Sequence, residues 1–335
     1  MAGFGECASA AAVPGAREGD QPVEGEAAVA GAQLVEDRVS AGDHGQAAAV
    51  PAGADRSVAV DHGVGDLAGG AVGTPVPTEF DRLIEDIARA GEQLTAMAAC
   101  EGAAGNISVF TTSLACPLDV VDEVELPTPA PALADGWMVI SASGRRLRDV
   151  CRHPESTIAA LQINADGTRA TMHANPSIRP SSEWNSHVAI HDDQRRRRGV
   201  DFHAVVHAQP LRTVFLSHLS EIDSSEELTR RLLRWEPETA VVAPEGVALA
   251  PFQVPGSPAQ MEVTVAALAQ TVAVVWAKHG IVTRSDTSAS AAADLVEYIE
   301  AAAHYEVMNL SLGSPAEGLN EDERAAVADA FGLGV

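Results

Sequence analysis

The residues best suited to chemistry are two histidines that follow apolar, strand-like runs. His207 ends the run that starts at Phe202, and His279 follows the run that ends at Trp276. Imidazole is, after thiolate, the side chain that zinc prefers. Residues i and i+2 of a strand point the same way, so Gln209 can face the same centre as His207. The pattern predicts an open metal site formed by His207, Gln209 and His279, with room for a substrate oxygen.

A carboxylate and two more histidines occur in a helix-like segment. Ser181 or Ser182 can cap this helix, and Glu183 in its first turn is stabilised by the helix dipole. A plain N-terminal carboxylate is the alternative role for Glu183. His187 and His191 are four residues apart on one helix face, which suits a metal pair, but they lack the order H-E-x-x-H. Half-buried histidines with satisfied hydrogen bonds are the favoured interpretation.

Two glycine turns have a composition that suits an anion. Gly105 exposes backbone N–H groups beside the Asn106 amide, and Ser143-Gly144 follows an apolar run that ends at Ile140. Backbone N–H groups and hydroxyls of this kind can hold a phosphate or a carboxylate. Ordinary turns use the same residue types, so each motif alone is also consistent with a simple turn.

The elements around these clusters follow from hydrophobic spacing and turn residues. A helix capped by Thr78 is predicted to run to about Met97. Apolar runs predict strands at 107–111, 136–140, 202–206, 240–243 and 271–276, and helices are predicted at 182–199, 258–270 and 288–312. The proline-rich segment 117–131 is predicted to be a loop. Strands that alternate with helices indicate an α/β domain.

Composition divides the chain into three parts. Residues 1–77 have a single aromatic residue, Phe4, and no sustained hydrophobic period. A disordered acidic extension rich in Ala and Gly is predicted there, because such a segment cannot bury enough apolar surface to offset its ordering entropy. A regulatory tail is the alternative. The folded domain is expected at 78–313, and a tail with a short helix at 314–335.

Charge and residue counts exclude several classes of function. The chain has 47 Asp and Glu against 22 Lys and Arg, a net charge of −25, which argues against nucleic acid or anionic membrane as a partner. Lys278 is the only lysine, so imine catalysis would depend on that one residue. No apolar stretch reaches the roughly 18 residues of a membrane span. Four cysteines without C-x-x-C spacing and without a preceding secretory segment predict a reduced, cytoplasmic location.

In this order along the chain, the polar clusters resemble the class II aldolase/adducin family, and within it the rhamnulose-phosphate aldolases. The resemblance extends from about Thr78 to Gly313. The motifs that carry it are Gly105-Asn106-Ile107-Ser108-Val109, Ile140-Ser141-Ala142-Ser143-Gly144, Pro180-Ser181-Ser182-Glu183 with His187 and His191, Val206-His207-Ala208-Gln209-Pro210, Pro244-Glu245-Gly246-Val247, Val254-Pro255-Gly256-Ser257 and Trp276-Ala277-Lys278-His279-Gly280. Motifs in one register over this length are hard to assign to anything else.

The resemblance implies a three-layer α/β/α sandwich around a mixed, largely antiparallel sheet, assembled as a homotetramer. It implies a lyase with one divalent metal per subunit, usually zinc. The family reaction cleaves a ketose 1-phosphate, such as rhamnulose 1-phosphate, reversibly into dihydroxyacetone phosphate and an aldehyde, which is L-lactaldehyde in the rhamnulose case. Cleavage leaves an enediolate whose charge a Lewis-acidic metal stabilises. The single lysine favours this route over imine catalysis.

Site residues follow from the same resemblance. It implies a phosphate pocket at Asn106, Ser143, Gly144, Ser181 and Ser182, a catalytic carboxylate at Glu183, a second carboxylate at Glu238 reaching in from a neighbouring subunit, and metal ligands at His207 and His279. The substrate class is therefore a small phosphorylated sugar, with neither nucleic acid nor membrane as a partner.

The sequence departs from the family pattern at two positions. Gln209 stands where the H-x-H-P pattern has a second histidine, and a neutral amide is a weaker zinc ligand than imidazole. Weaker binding, a preference for Mn, Co or Mg, or a degraded site are the alternatives. A degraded site would fit a non-catalytic, adducin-like assembly module. Phe110 stands where many members have Arg, so either weaker anion binding or a different substrate is expected unless Arg145 or Arg146 compensates.

Overall fold

The computed structural model describes residues 77–313 and 316–333. The extension predicted at 1–77 therefore lies, apart from Pro77, outside the described residues. None of the helices in the described ranges is long and apolar enough to cross a membrane.

The described residues form helices and strands that alternate along most of the chain. The strands are β1 (Asn106–Thr111), β2 (Val120–Glu125), β3 (Trp137–Ser141), β4 (Ile158–Ile163), β5 (Arg169–His173), β6 (Phe202–Ala208), β7 (Ala248–Ala250), β8 (Ala273–Trp276) and β9 (Gly280–Ser285). The helices are α1 (Glu79–Ala96), α2 (Pro154–Thr157), α3 (Trp184–Arg198), α4 (Leu211–Leu216), α5 (Ser225–Leu232), α6 (Pro237–Val242), α7 (Pro258–Leu268), α8 (Ala289–Leu312) and α9 (Glu321–Phe331).

The strands form one sheet in the order β2-β5-β4-β3-β1-β6-β9-β8-β7. Every neighbouring pair is antiparallel except β7 and β8, which are parallel. The prediction of a mixed, largely antiparallel sheet is thus confirmed. Strand β1 lies between β3 and β6, and this brings together the three strands whose ends carry the polar motifs.

Helices cover both faces of the sheet, because successive side chains of a strand point to opposite sides. On β6, Ala204 and Val206 belong to the core formed with α1 and α8. The intervening Val205 packs instead with Ile190 of α3 and Leu268 of α7. The three-layer α/β/α arrangement is therefore confirmed, and α3 lies over the sheet face that carries the candidate site.

Helix α1 begins as its sequence predicts. The Thr78 hydroxyl accepts from the backbone N–H of Asp81, and the Asp81 carboxylate accepts from the backbone N–H of Thr78. This reciprocal capping box satisfies donors that a helix start otherwise leaves unpaired. Two of the apolar side chains at helical spacing, Ile87 and Leu94, are fully buried.

The strand predicted at 240–243 is wrong, because these residues end helix α6, Pro237–Val242. A short apolar run fits a buried strand and a buried helix turn equally well, so periodicity alone could not decide. Pro237 was the better signal, since its fixed φ and missing N–H suit the first turn of a helix.

The loop predicted at 117–131 is wrong in part, because it contains the edge strand β2. Its residues are mostly exposed, so the strand shows no apolar run. Strands β4, β5, β7 and β9 were not anticipated either. Strand β9 follows β8 after a tight turn in which Lys278 has a φ of 65°. Residues other than glycine rarely adopt this left-handed conformation, so the sequence does not predict the turn.

Candidate active site

A small polar cavity lies where β1 begins, β3 and β6 end, and the β8–β9 turn approaches them. Its volume is about 200 Å³. Nine residues singled out from the sequence line it, namely Asn106, Ser143, Gly144, Ser181, Ser182, Glu183, His207, Gln209 and His279. Folding thus brings together residues that are distant in the sequence. Asn106 and His279, the most distant pair, are 173 positions apart.

A larger groove of about 700 Å³ lies elsewhere, beside the edge strand β7 and helices α5 and α7. Its lining is mainly apolar and contains none of these nine residues. Binding sites for small polar ligands depend on convergent polar groups. The smaller cavity is therefore the candidate site, because its lining supplies those groups.

Glu183, His207 and His279 form the chemical centre of the cavity. Oε2 of Glu183 is 3.5 Å from Nε2 of His207, and Oε1 of Glu183 is 3.6 Å from Nε2 of His279. The candidate ligand atoms of the three residues lie within 4.8 Å of one another. Within the described part of the chain, this is the one group of three His, Cys, Asp or Glu side chains that could hold a metal ion.

The surroundings of His207 and Glu183 fit a cation. Nδ1 of His207 lies 3.0 Å from the carbonyl oxygen of Ile281 and donates to it, which leaves the lone pair of Nε2 facing the cavity. Oε1 of Glu183 is buried and has no hydrogen-bond partner among the described residues. A buried carboxylate oxygen requires a partner, and a divalent metal or a substrate proton can be one.

His279 is partly buried at the mouth of the turn. Burial, and secondarily the nearby His207, lowers the pKa of His279 to about 4, so the ring is neutral at neutral pH. Behind it, Nε2 of Gln260 lies 3.1 Å from Nδ1 of His279, while Oε1 of Gln260 accepts from Gly256. Nε2 of His279 can bind a cation only when Nδ1 carries the proton, so binding there requires the Gln260 amide to present its oxygen instead.

Gln209 reaches the cavity from the segment that follows β6, and its backbone N–H donates to the Ala99 carbonyl. The predicted ligand set was His207, Gln209 and His279. The structure adds the Glu183 carboxylate to this group at close range. Lys278 is exposed and does not line the cavity, so no amine is available there for an imine.

The cavity lining also includes serine residues and the backbone of two turns. Ser143 and Gly144 follow β3, and an isolated bridge between Ala142 and Pro180 holds their turn against the segment that contains Ser181 and Ser182. The predicted cap is wrong, because Glu183 itself occupies the N-cap position of α3 with no side-chain capping bond. The Glu183 side chain does not cap the helix because it lines the cavity and accepts a hydrogen bond from Asn106.

Asn106 contacts Glu183 rather than facing the cavity alone. Its Nδ2 donates to Oε2 of Glu183 at 2.9 Å, and its Oδ1 contacts Nε2 of His187. His187 and His191 are both fully buried and hydrogen-bond to the Ser108 hydroxyl. The interpretation of these histidines as satisfied residues is confirmed, although they are completely rather than half buried.

Two residues from the sequence analysis lie outside the cavity. Glu238 is exposed at the start of α6, beside Glu236 and Glu297 in a separate depression. Phe110 is fully buried in the core, where the guanidinium of Arg195 lies 5.2 Å from its ring centroid. Its ring therefore fills the core on the α3 side of the sheet. Because Phe110 does not line the cavity, its position does not support the expectation of weaker anion binding.

The turn around Gly280 leaves no room for a side chain. A Cβ there would clash with the Ala208 carbonyl oxygen and would lie 2.6 Å from Cε1 of His207. Gly280→Ala is expected to lower the free energy of unfolding by about 1–3 kcal/mol, as overpacking does, and to weaken metal binding by displacing His207. Denaturant unfolding and metal titration measure the two effects.

A glycine in open space gives the matched control for that substitution. A Cβ at Gly102 meets nothing within 4 Å, so Gly102→Ala carries only the backbone cost of a φ of 58°. Metal affinity should stay unchanged in Gly102→Ala. Equal metal affinity in Gly280→Ala and the wild type would show that the close packing on His207 is not required.

The sequence is similar to a known protein family and to aldolases within it. The family profile described as Class II Aldolase and Adducin N-terminal domain matches residues 85–307. The rhamnulose-1-phosphate aldolase of Bacteroides thetaiotaomicron is 24% identical over 229 residues, which cover 68% of this chain and 84% of that protein. The rhamnulose-1-phosphate aldolase of Yersinia pseudotuberculosis is 28% identical over 211 residues, covering 62% and 76%.

Solved structures show the same architecture. A sugar-phosphate aldolase from Thermotoga maritima superposes with a TM-score of 0.63 at 28% identity, and the match covers 71% of this chain and 99% of that one. An L-fuculose 1-phosphate aldolase superposes with a TM-score of 0.51 at 20% identity, covering 77% and 100%, and this second likeness concerns the fold alone.

Proposed function

This chain belongs to the class II aldolase and adducin family, and from that premise we propose that it is a metal-dependent lyase that cleaves a ketose 1-phosphate. Rhamnulose 1-phosphate, or a close analogue, is the proposed substrate, with dihydroxyacetone phosphate and L-lactaldehyde as products. The observation that carries the proposal is the group of Glu183, His207 and His279 in one cavity whose lining also includes serine residues.

The proposed phosphate site is formed by the two turns that line the same cavity as the Glu and His cluster. Ser143, Ser181 and Ser182 provide hydroxyl donors, and Gly144 allows close approach of an anion to the backbone. These neutral donors suit a phosphate on a protein whose net charge is −25, because they bind the anion locally against the repulsive overall field. Arg145 and Arg146 follow directly and are exposed.

The proposed metal ligands are His207 and His279, together with the Glu183 carboxylate or the Gln209 amide. A divalent ion held by them, most simply zinc, would supply Lewis acidity that lowers the energy of negative charge on substrate oxygens. Mn, Co or Mg are the alternatives because an amide oxygen is a harder donor than imidazole.

Glu183 is the proposed proton-transfer group. Its Oε2 is held by Asn106, while Oε1 is buried and unpaired among the described residues. When the C3–C4 bond breaks, its electron pair stays on C3, and the C4 hydroxyl loses its proton to a base as C4 becomes the aldehyde carbonyl. A proton is then added to C3, so the cleavage neither consumes nor releases a proton overall. Oε1 can deliver this proton, and in the direction of synthesis it can remove one from the same carbon. The buried position keeps water from competing for that step.

The proposal also includes an assembly in which neighbouring subunits share active-site residues. We expect a homotetramer of the domain at 78–313, in which Glu238 of one subunit contributes a second carboxylate to the site of its neighbour. Its exposure, and its position outside the cavity of its own subunit, support a role of this kind. Sedimentation and kinetics of mixed variants at Glu183 and Glu238 test whether sites form between subunits.

The direct test is a panel of ketose 1-phosphates, including those of rhamnulose and fuculose, assayed for dihydroxyacetone phosphate and aldehyde with Zn, Mn, Co and Mg. Turnover of at least one sugar is expected, with rhamnulose 1-phosphate the fastest. Protein that contains metal but cleaves none of these sugars contradicts the substrate class. Metal-free protein that binds none of the four ions favours the non-catalytic assembly module, for which the substitution at Gln209 is the one supporting feature.

Gln209 provides a separate prediction. Gln209→His replaces a neutral amide in the cavity lining with an imidazole, so the affinity for zinc is expected to rise by about tenfold or more. Competition with a chromophoric chelator measures this change. Gln253→His, in the nearby loop but outside the cavity lining, is the matched control. Unchanged zinc affinity in Gln209→His would show that residue 209 does not face the metal.

A further inference from the structure

A continuous chain of hydrogen bonds between buried polar side chains connects His203 of β6 to Glu183. His203 of β6 contacts His191 of α3, with the two Nδ1 atoms 2.7 Å apart. Nε2 of His191 is 2.7 Å from the Ser108 hydroxyl, which is 2.6 Å from Nδ1 of His187. His187 then contacts the Asn106 amide, which holds Glu183. Buried polar groups in an apolar layer are costly unless they are paired, so each contact in this arrangement must join a donor to an acceptor.

The three histidines of this chain are neutral. Burial is the main cause that lowers the pKa of His187 and of His191 well below the usual value. Burial, with smaller contributions from Arg198 and Arg284, lowers the pKa of His203 to about 3. Each ring therefore carries one N–H and one lone pair, and every contact in the chain must join a donor to an acceptor.

The orientation of Asn106 then determines every proton. Its Nδ2 donates to Glu183, so its Oδ1 must accept from Nε2–H of His187. The lone pair on Nδ1 of His187 accepts from the Ser108 hydroxyl, whose oxygen accepts from Nε2–H of His191. Nδ1 of His191 accepts from Nδ1–H of His203. All the donors point towards Glu183.

The far end of the chain supports this direction. Nε2 of His203 is buried with no partner among the described residues. In the direction just derived, that atom is a bare lone pair. In the reverse direction it would be a buried, unpaired N–H, which is rarer in proteins than an unsatisfied acceptor. The reverse direction would also turn the Asn106 carbonyl oxygen against the Glu183 carboxylate, and two acceptors repel each other.

We propose that Ser108, His187, His191 and His203 act as positioning residues that hold the Asn106 N–H on Oε2 of Glu183. The carboxylate is thereby fixed with its other oxygen, Oε1, directed into the cavity. The catalytic consequence rests on the proposed function, since it concerns the proton-transfer group. The direction of the hydrogen bonds does not depend on it, because it follows from the contacts and from the neutral state of the buried rings.

Histidine tautomers give the first test, on metal-free protein labelled with ¹⁵N-histidine. Long-range ¹H–¹⁵N spectra distinguish a protonated from an unprotonated ring nitrogen, and single His variants assign the signals. His187 and His191 are expected to be protonated at Nε2, and His203 at Nδ1. The opposite tautomer at any of the three overturns the proposed direction, whether or not the protein is an aldolase.

A pair of variants at His187 gives the second test. Gln keeps an amide N–H at the position of Nε2, whereas Leu keeps the approximate volume and removes the donor. The Asn106 side-chain N–H resonance should remain shifted by its bond to Glu183 in His187→Gln and lose that shift in His187→Leu. With substrate, kcat should fall by about 10–100-fold in His187→Leu, with KM nearly unchanged and partial recovery in His187→Gln.

The outcomes separate the two proposals. An unchanged Asn106 signal in His187→Leu, or equal kinetic losses in both variants with equal thermal destabilisation, reduces the chain to a structural role and overturns the inference. The predicted tautomers and the predicted Asn106 response in a protein that cleaves no ketose phosphate would instead contradict only the proposed function.

Discussion

Glu183→Gln is expected to lower kcat for ketose 1-phosphate cleavage by about 10²–10⁴-fold, the usual contribution of a general acid or base. Glutamine has nearly the same shape, and its oxygen can still accept from Nδ2 of Asn106. The group that replaces Oε1 would then be an amide nitrogen, which cannot take up or release the proton at C3. The release of dihydroxyacetone phosphate, followed in a coupled assay, measures the loss.

The control for this substitution must lose the same charge without touching the cavity. Glu262 is exposed on α7 and is absent from the cavity lining, so Glu262→Gln should retain wild-type kinetics. Metal analysis of both variants separates loss of the proton-transfer group from loss of the ion, because Glu183 also lies within reach of a bound metal. Wild-type activity in Glu183→Gln would remove this residue from the mechanism.

Removal of the metal is expected to have a comparably large effect. Treatment with a chelator should lower turnover by about a hundredfold or more, because Lewis-acid stabilisation is worth several kcal/mol and each 1.36 kcal/mol is a factor of ten. Zn, Mn or Co should restore the activity. The structural reason is that the cavity holds no lysine amine and its remaining donors are neutral or acidic.

A histidine variant connects this loss to the proposed site. His207→Ala removes the ring whose Nε2 lone pair faces the cavity, so both metal content and activity should fall. His218→Ala, at an exposed histidine outside the cavity, is the matched control and should bind metal like the wild type. Full activity in chelated protein, or full metal content in His207→Ala, would contradict the assignment of the metal site.

Much of the site was accessible from the sequence because each motif lies at the end of a strand or a helix start. The segments that end β3 and β6 and begin β1 and α3 were predicted near their observed positions. Since β1 pairs with both β3 and β6, the motifs that follow them must meet at one edge. The convergence of Asn106, Ser143 and His207 therefore depends on strand order, which neither the local pattern nor the predicted architecture specified.

The failures have equally local causes. The four residues 240–243 are too few to show a helical period. The residue that indicates a helix is Pro237, which stands before them at the start of α6. Strand β2 has no fully buried residue, and its two partly buried residues are three positions apart, so it shows no alternating pattern to detect. The cap of α3 was assigned to a serine because serine is the commoner capping residue, whereas Glu183 occupies that position while its side chain contacts Asn106.

The amino-acid sequence by itself determined which chemical groups are available: imidazoles at strand ends, one carboxylate beside two serines, and a single lysine. Only the tertiary structure decided how Asn106 is used. Its partners His187 and Glu183 are 81 and 77 residues away, and His203 joins the same chain from another strand. Local periodicity gives the side of an element on which a residue lies, but register and packing between distant elements decide which polar groups meet.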